Sequence, residues 1–558
     1  MGNHLLALGP GNGSPIETLK VSSSGLAGTL AAELAELGGS FSSENANLLK
    51  FHGSYQQEDR DRRKERKKIG LDTEHSFMVR LRIPGGFMNA RQYLAIDKLA
   101  DRYANGTLRF TTRQAIQFHG VLKNDLKSTL REIDAELLST LAACGDVNRN
   151  VMACPAPARS RVNLELGALA DRLARRLEPR TRAYHEIWLD GELCKDSTPA
   201  EEPIYGHSYL PRKFKIGIAY PGDNCVDAFT QDIGLVAELA GDSLYGFTVL
   251  VGGGLGMTHG KSETFPRAAS PLCFVSGEDA IPIVEAIVTL QRDYGDRVNR
   301  RHARLKYVVE ERGIKWLKDE IESRLGRTLE GPHPVTFEDA CDHLGWHAQH
   351  GGSWFLGLNV ASGRVADTDS NRIRSALREV VEQFGCSLRL TGQQNALLCD
   401  ISDKDRPSVT ALLARFGIAV DPTSLGIVRY ALACPALPTC GQALAEAERG
   451  LPALLEEFDS VLHGLEIAEE RLSIRMTGCP NGCARPYMGD IGIVGRSLGL
   501  YDIYVGGDWA NTRLNRIAFS KVRYECIVAT LRPLLVQWAM ERHRGETFGD
   551  FVQRVDCL

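Results

Sequence analysis

No sign of charge dominates this chain. Its 66 lysines and arginines stand against 70 aspartates and glutamates, a formal net charge of −4 over 558 residues. That near-balance excludes the global field with which nucleic-acid and anionic-membrane binders gather their partners, so any affinity for anions has to come from local clusters. Long hydrophobic runs are missing too: the apolar stretch from Cys526 to Met540 is broken by Arg532 and Pro533 and cannot span a bilayer. The first ten residues lack the basic start and apolar core of a secretory signal. Leu6 stands where myristoylation wants Ser or Thr, and Cys557 comes too late for prenylation. The glycine-rich run Gly252–Gly256 lacks the Gly-Lys-Ser/Thr ending of a phosphate loop and does not fit G-x-G-x-x-G. No flavin or nicotinamide site is therefore predicted, and electrons have to come from another protein. Fourteen cysteines are too few for a disulfide scaffold. A cytoplasmic chain with reduced thiols is expected.

Four of those cysteines form two pairs, in Ala433-Cys-Pro-Ala-Leu-Pro-Thr-Cys440 and Thr477-Gly-Cys-Pro-Asn-Gly-Cys483. Four thiolates are the usual complement of a 4Fe–4S cluster. Structural zinc favours tighter C-x2-4-C hairpins than the C-x5-C spacing of Cys434 and Cys440. Pro435, Pro438, Pro480 and Gly482 keep these loops out of regular hydrogen bonding, so the backbone can wrap a bulky inorganic core. Cys434, Cys440, Cys479 and Cys483 are the predicted metal ligands, with zinc or disulfides as the competing readings.

The chain also repeats itself. Leu108-Arg109-Phe110-Thr111 with Gln114 recurs 280 residues later as Leu388-Arg389-Leu390-Thr391 with Gln394. At the same offset, Met152-Ala153-Cys154-Pro155-Ala156 recurs as Leu432-Ala433-Cys434-Pro435-Ala436. Val251-Gly252-Gly253 has a looser echo in Val505-Gly506-Gly507. Two segments sharing one displacement argue for duplication. The predicted fold class is α+β and internally duplicated, each half a small unit followed by a larger one. The expected limits are an extension over 1–70, a small unit over 71–145, a large one over 146–335, a second small unit over 336–420 and a second large one over 421–558. In the first small unit, alternation predicts a strand over 77–83 and a helix over 92–103, and residues 108–118 read as strand, turn and helix start. The mixed-charge run Glu58–Lys68 reads as a solvated helix or a docking surface.

Cations gather beside the repeated segments: Arg80 and Arg82, Arg109 and Arg113, Arg149, then Arg212, Lys213 and Lys215. Lys213 and Lys215 lie two apart and share one face if extended. Like charges that close repel, and an anionic guest is a natural reason to place them there. His119 is given no role.

Phe51-His-Gly-Ser-Tyr-Gln-Gln57, Asn148-Arg-Asn150, Leu210-Pro-Arg-Lys-Phe-Lys215 and the two cysteine pairs resemble the hemoprotein (β) subunits of assimilatory NADPH-dependent sulfite reductases, members of the siroheme 4Fe–4S nitrite and sulfite reductases. The resemblance runs from about residue 45 to Phe551. It implies the sulfite/nitrite reductase fold, with two ferredoxin-like half-domains beside the two larger units. It also implies one siroheme and one 4Fe–4S cluster, with Cys483 ligating both irons. Arg82, Arg149, Lys213 and Lys215 are the implied catalytic cations. Arg109, Arg113, Gln117, Lys306 and Asn395 are implied contacts of the carboxylate-rich macrocycle. The implied reaction is six-electron reduction of sulfite to sulfide, in sulfate assimilation and cysteine biosynthesis. Its electrons would come from a flavoprotein (α) subunit carrying FAD and FMN, and neither nucleic acid nor membrane takes part. Glu201-Glu-Pro-Ile204 and Phe548-Gly-Asp-Phe551 favour the NADPH system over ferredoxin-dependent sulfite reductases. Lys215 argues against siroheme nitrite reductases, where an amide is typical. A non-catalytic zinc protein is the reading from a different class.

Overall fold

A computed structural model describes residues 13–156, 161–181, 188–189, 192–193, 202–340 and 342–555. The first ten residues, Glu201 and Cys557 lie outside them. Among the described residues, four five-stranded sheets carry the architecture.

The first small sheet runs in the order Ser54–Glu58, His75–Arg80, Ile116–Val121, Leu108–Phe110, Arg364–Val365. The second runs Gly345–Ala348, Trp354–Leu358, Ala396–Ile401, Ser387–Leu390, Phe87–Met88. Each sheet thus ends on a strand lent by the other half, with Arg364 paired to Arg109 and Phe87 to Arg389. The apolar faces meet in one common core that contains Phe77, Leu108, Leu356 and Leu388. Helix Ala90–Tyr103 covers it. A capping box between Asn89 and Gln92 starts the helix, and Tyr93, Ile96 and Ala100 form its buried stripe.

The expected helix start near Phe118 is instead a second strand. Leu108–Phe110 and Ile116–Val121 form an antiparallel hairpin. Gln114 takes a left-handed φ of 51°, and the Thr111 N–H reaches the Ala115 carbonyl at 3.0 Å. The chain therefore reverses before a helical turn can close. The repeat keeps this turn: Gln394 has φ 67°, and Thr391 N–H reaches the Asn395 carbonyl at 3.0 Å.

The two large sheets share one topology. The first orders Met152–Ala153, Ile216–Ala219, Ile233–Ala240, Ser243–Val251, Ser270–Ser276, and the second Leu432–Ala433, Ile474–Thr477, Ile491–Ser497, Leu500–Val505, Arg516–Arg523. In both, two parallel pairings are followed by two antiparallel ones. The looser echo is structural as well. Gly252 (φ 78°) and Gly506 (φ 96°) close equivalent strands, and a Cβ on Gly253 or Gly507 would lie within 2.3 or 2.4 Å of backbone oxygen.

The segment expected to extend from the fold is largely packed into it. Leu26, Leu48 and Phe51 join the core of the first large unit, Phe41 and Leu49 join the small-sheet core, and Ser54–Glu58 is a sheet edge. Only Arg60–Lys68 matches the solvated-helix reading, with no buried residue.

Candidate active site

Parallel pairing sets Leu432–Ala433 beside Ile474–Thr477, so the loops leaving both strands lie side by side. Cys434 begins one loop; Cys479 and Cys483 sit on the other. The Gly478 N–H points at Cys434 Sγ (3.4 Å), and the Gly478 carbonyl accepts from Leu444 and Ala445 N–H at 2.7 and 3.0 Å. A Cβ at Gly478 would meet the Ala445 oxygen at 2.5 Å, so this close crossing requires glycine. Cys434 and Cys479 are buried, Cys440 is half-buried and Cys483 is exposed. Burial lifts the Cys479 thiol to about 12 and raises Cys434 and Cys440, and in all three the neighbouring Cys483 adds to the rise. Such thiols stay protonated unless a metal replaces the proton. Among the described residues, the one group whose ligand atoms all lie within 4.8 Å of one another is elsewhere in the molecule. The quartet is spread too widely for one tetrahedral ion, which wants donors roughly 3.3–3.8 Å apart. It suits a polynuclear cluster.

Cys483 is also where the cations converge. Burial depresses Lys213 and Lys215, and Cys483 opposes that fall, whereas Arg80, despite burial, is raised by Cys144 and Tyr55 ahead of Cys483. Lys213 and Lys215 flank the buried Phe214, which anchors their strand. Burial, with Arg212, Arg304 and Arg149, brings Lys213 down to about 7. Burial, then Arg113 and Lys213, takes Lys215 well below its ordinary value. Arg113 falls to about 9 through burial and Arg149, while donating to Gln231 Oε1 at 2.8 Å. Arg149 is fixed by donation to the Gly145 carbonyl at 2.9 Å. A cavity of about 400 Å³ opens beside them, lined among others by Arg212, Lys213, Arg300, Arg304, Lys306 and Asn481. Asn481 belongs to the Cys479–Cys483 loop, so the cavity borders the loop that carries two of the thiols. Lys306 is held by the Gly254 and Gly256 carbonyls at 3.1 and 2.9 Å, and burial lowers it to about 7. This crowding of cations, in which burial and like-charged neighbours depress Arg113, Arg212, Lys213, Lys215 and Lys306, fits a guest bearing several negative charges.

The structure brings Arg113, Arg149, Lys213, Lys215 and Lys306 together with Cys483. Four other expected residues sit differently. Arg82 turns away: its Nη1 pairs with Glu178 at 2.6 Å and its Nη2 donates to the Ala174 carbonyl. Arg80 instead has Cys483 among its neighbouring charges, with Nη1 2.9 Å from Cys144 Sγ and its guanidinium 5.9 Å from the Tyr55 ring centroid. The regular strand stops at Arg80, so the same-face alternation that linked the two arginines fails at Arg82. Arg109 is committed to Glu448 and, at 3.0 Å, to the carbonyl of Ala433, so it steadies the backbone preceding Cys434. Gln117, its amide oxygen turned to Arg80, accepts from Nε at 2.9 Å and so orients that arginine. Asn395 donates to Asp342 Oδ2 at 2.6 Å and accepts from Val360 N–H at 2.7 Å, which leaves it a structural role. Arg304, paired to Asp232 at 2.6 Å on the cavity wall, escaped the sequence reading because nothing in its local pattern marks it.

Comparison with known proteins bears on the fold and the family. The family model for the nitrite/sulfite reductase ferredoxin-like half domain matches residues 70–136 and 347–416, and that for the nitrite and sulphite reductase 4Fe-4S domain matches 169–329. The sulfite reductase (NADPH) hemoprotein beta-component of Staphylococcus saprophyticus is 46% identical, over 97% of this chain and 96% of its own. The chain belongs to that family. The beta-component of Paenibacillus sp. (strain JDR-2) is 46% identical over 99% of this chain and 97% of its own, and that of Geobacillus kaustophilus 45% over 98% and 96%. The Mycobacterium tuberculosis NirA protein shares the fold, with a TM-score of 0.78 at 23% identity over 96% of this chain and 94% of that one. The beta-component family therefore has here the duplicated α+β architecture expected from the repeat. The 4Fe-4S domain match falls on the first large unit, whereas the cysteine quartet lies in the second. Among the described residues, no helix is long and apolar enough to cross a membrane.

Proposed function

We propose that the chain reduces sulfite to hydrogen sulfide, consuming six electrons and eight protons and releasing three waters, with electrons from an NADPH-oxidising flavoprotein subunit that carries FAD and FMN. One observation carries the reading: the loop bearing Cys479 and the exposed Cys483 borders the cation-lined cavity through Asn481. Cys434, Cys440, Cys479 and Cys483 would hold a 4Fe–4S cluster. Arg113, Arg212, Arg304 and Lys306 would meet the carboxylates of a siroheme. When bound, the two groups would supply single-electron transfer to a substrate-binding iron.

The rest of the task falls to side chains of this chain. Arg80, Arg149, Lys213 and Lys215 bind and orient the sulfite oxygens, and their attraction grows as negative charge builds on each oxygen. Lys213, at about 7, holds a proton it can release near neutral pH, and burial with Arg113 and Lys213 lowers Lys215 beside it as well. Each departing oxygen takes two protons and leaves as water. Gln117 keeps Arg80 aimed, and Arg109 fixes the backbone before Cys434. The division into small and large units at about residues 145, 335 and 420 belongs to the same proposal, supported by large sheets that begin at Met152 and Leu432.

The purified protein should show an isobacteriochlorin absorption spectrum and form sulfide from sulfite with NADPH plus the flavoprotein. Sulfide formed with reduced ferredoxin alone would replace the donor and keep the chemistry. A colourless protein free of acid-labile sulfide would refute the reading.

A further inference from the structure

A second set of ligand-type side chains lies outside the cationic cavity. Cys154, Asp223, Cys225 and His343 bring one donor atom each within 4.8 Å of one another. The two cysteines and the histidine are buried, and Asp223 is half-buried. Asp223 Oδ2 lies 3.0 Å from His343 Nε2 and 3.5 Å from Cys154 Sγ. The imidazole Nε2 is buried and faces the Asp223 carboxylate and the Cys154 thiol. The other carboxylate oxygen, Asp223 Oδ1, accepts from the Cys225 N–H at 2.9 Å, which leaves Oδ2 aimed inward. Asn163 Nδ2 approaches Cys154 Sγ at 3.9 Å from helix Arg161–Arg176. These outer contacts orient the donors as second partners do in built metal sites.

We propose that these four residues bind one structural zinc ion. Two thiolates, one imidazole and one carboxylate form a four-donor set of the kind zinc takes, and with every position filled by protein the site has no room for substrate. A cluster would need more thiolates. Calcium or magnesium would need more oxygens.

The location gives the ion a task. Cys154 leaves the edge strand Met152–Ala153, Asp223 ends the short strand Gly222–Asp223, Cys225 follows it, and His343 stands between strands Phe337–Asp339 and Gly345–Ala348. The first three belong to the first large unit and His343 to the approach to the second small sheet, so the ion joins the two halves. Cys154 also occupies the repeat position of Cys434, 280 residues earlier. The zinc is thus the first half's counterpart of the second half's cluster.

The test is metal analysis of the holoprotein expressed with zinc supplied and purified without chelators, paired with anomalous diffraction on either side of the zinc edge. One zinc per chain beyond the iron content, with its peak between the four residues, is the expected result. Cys225→Ser and His343→Ala should each lower zinc at least about tenfold while iron and the visible spectrum are retained. If these variants do not fold, the wild-type anomalous map still decides. Iron-replete protein holding no zinc would overturn the proposal, as would a disulfide between Cys154 and Cys225 in unreduced peptides.

Discussion

The two large units have the same sheet, strand for strand, and opposite chemistry. The second carries four thiols in the loops leaving its parallel strands. The first keeps one thiol at the matching position, Cys154, and contributes Arg212, Lys213, Arg304 and Lys306 to the cavity. Duplication therefore left the halves with different tasks beside the cationic cavity: in the proposed reading the second supplies thiolates for iron and the first positive charge for oxyanions. Two hard constraints explain the split. A cluster needs four thiols that give up their protons to metal, which loops of small, apolar surroundings supply in the second half. Lysines tuned toward neutrality, for their part, need burial and like-charged neighbours.

The comparison breaks most visibly at the repeated cysteine. Cys434→Ser or Cys483→Ser should cut sulfite turnover at least about a thousandfold with loss of iron, measured as sulfide formed per chain and as iron content. Cys154→Ser should leave turnover per siroheme within about twofold, its cost falling instead on the melting midpoint. Next comes the cationic half. Lys215→Met should lower kcat by about 10²–10³-fold while the absorption spectrum persists, since it removes charge stabilisation and a proton source but no cofactor ligand. The two neighbouring arginines then separate: Arg80→Ala should lower kcat/KM by about a hundredfold, and Arg82→Ala should leave it unchanged while costing about 1–3 kcal/mol of stability in denaturant unfolding.

The shared framework predicts equal responses. Gly253→Ala and Gly507→Ala each force a methyl against backbone oxygen and should destabilise the protein alike, by about 3 kcal/mol in denaturant unfolding. The smallest effect belongs outside the comparison. Arg62→Ala breaks an exposed pair with Glu74 and should change stability by less than about 0.5 kcal/mol.

Much of this was legible in sequence because it is encoded locally. The cysteine spacing, the Pro and Gly that shape those loops, and the recurring Leu-Arg-x-Thr and Ala-Cys-Pro-Ala segments each sit within a few residues. What depended on the path of the chain was not. Whether residue 80 or 82 meets the cavity turns on where a strand stops, and Arg109 and Asn395 found partners 339 and 53 residues away, in Glu448 and Asp342. The hairpin at Gln114 was misread because a left-handed residue leaves no mark when it is not glycine. The Cys154 group was invisible for the same reason as Arg304: its members come from separate loops that only the tertiary fold assembles.

The account stands or falls on Cys483 belonging to both halves of the chemistry. Anomalous diffraction from the iron of the holoprotein, phased above and below its absorption edge, tests this directly. A compact group of iron enclosed by the four cysteines, with one further iron across Cys483 Sγ on the side of Lys213 and Lys215, is the predicted map. Iron confined to the quartet, with nothing beyond that sulfur, would contradict it.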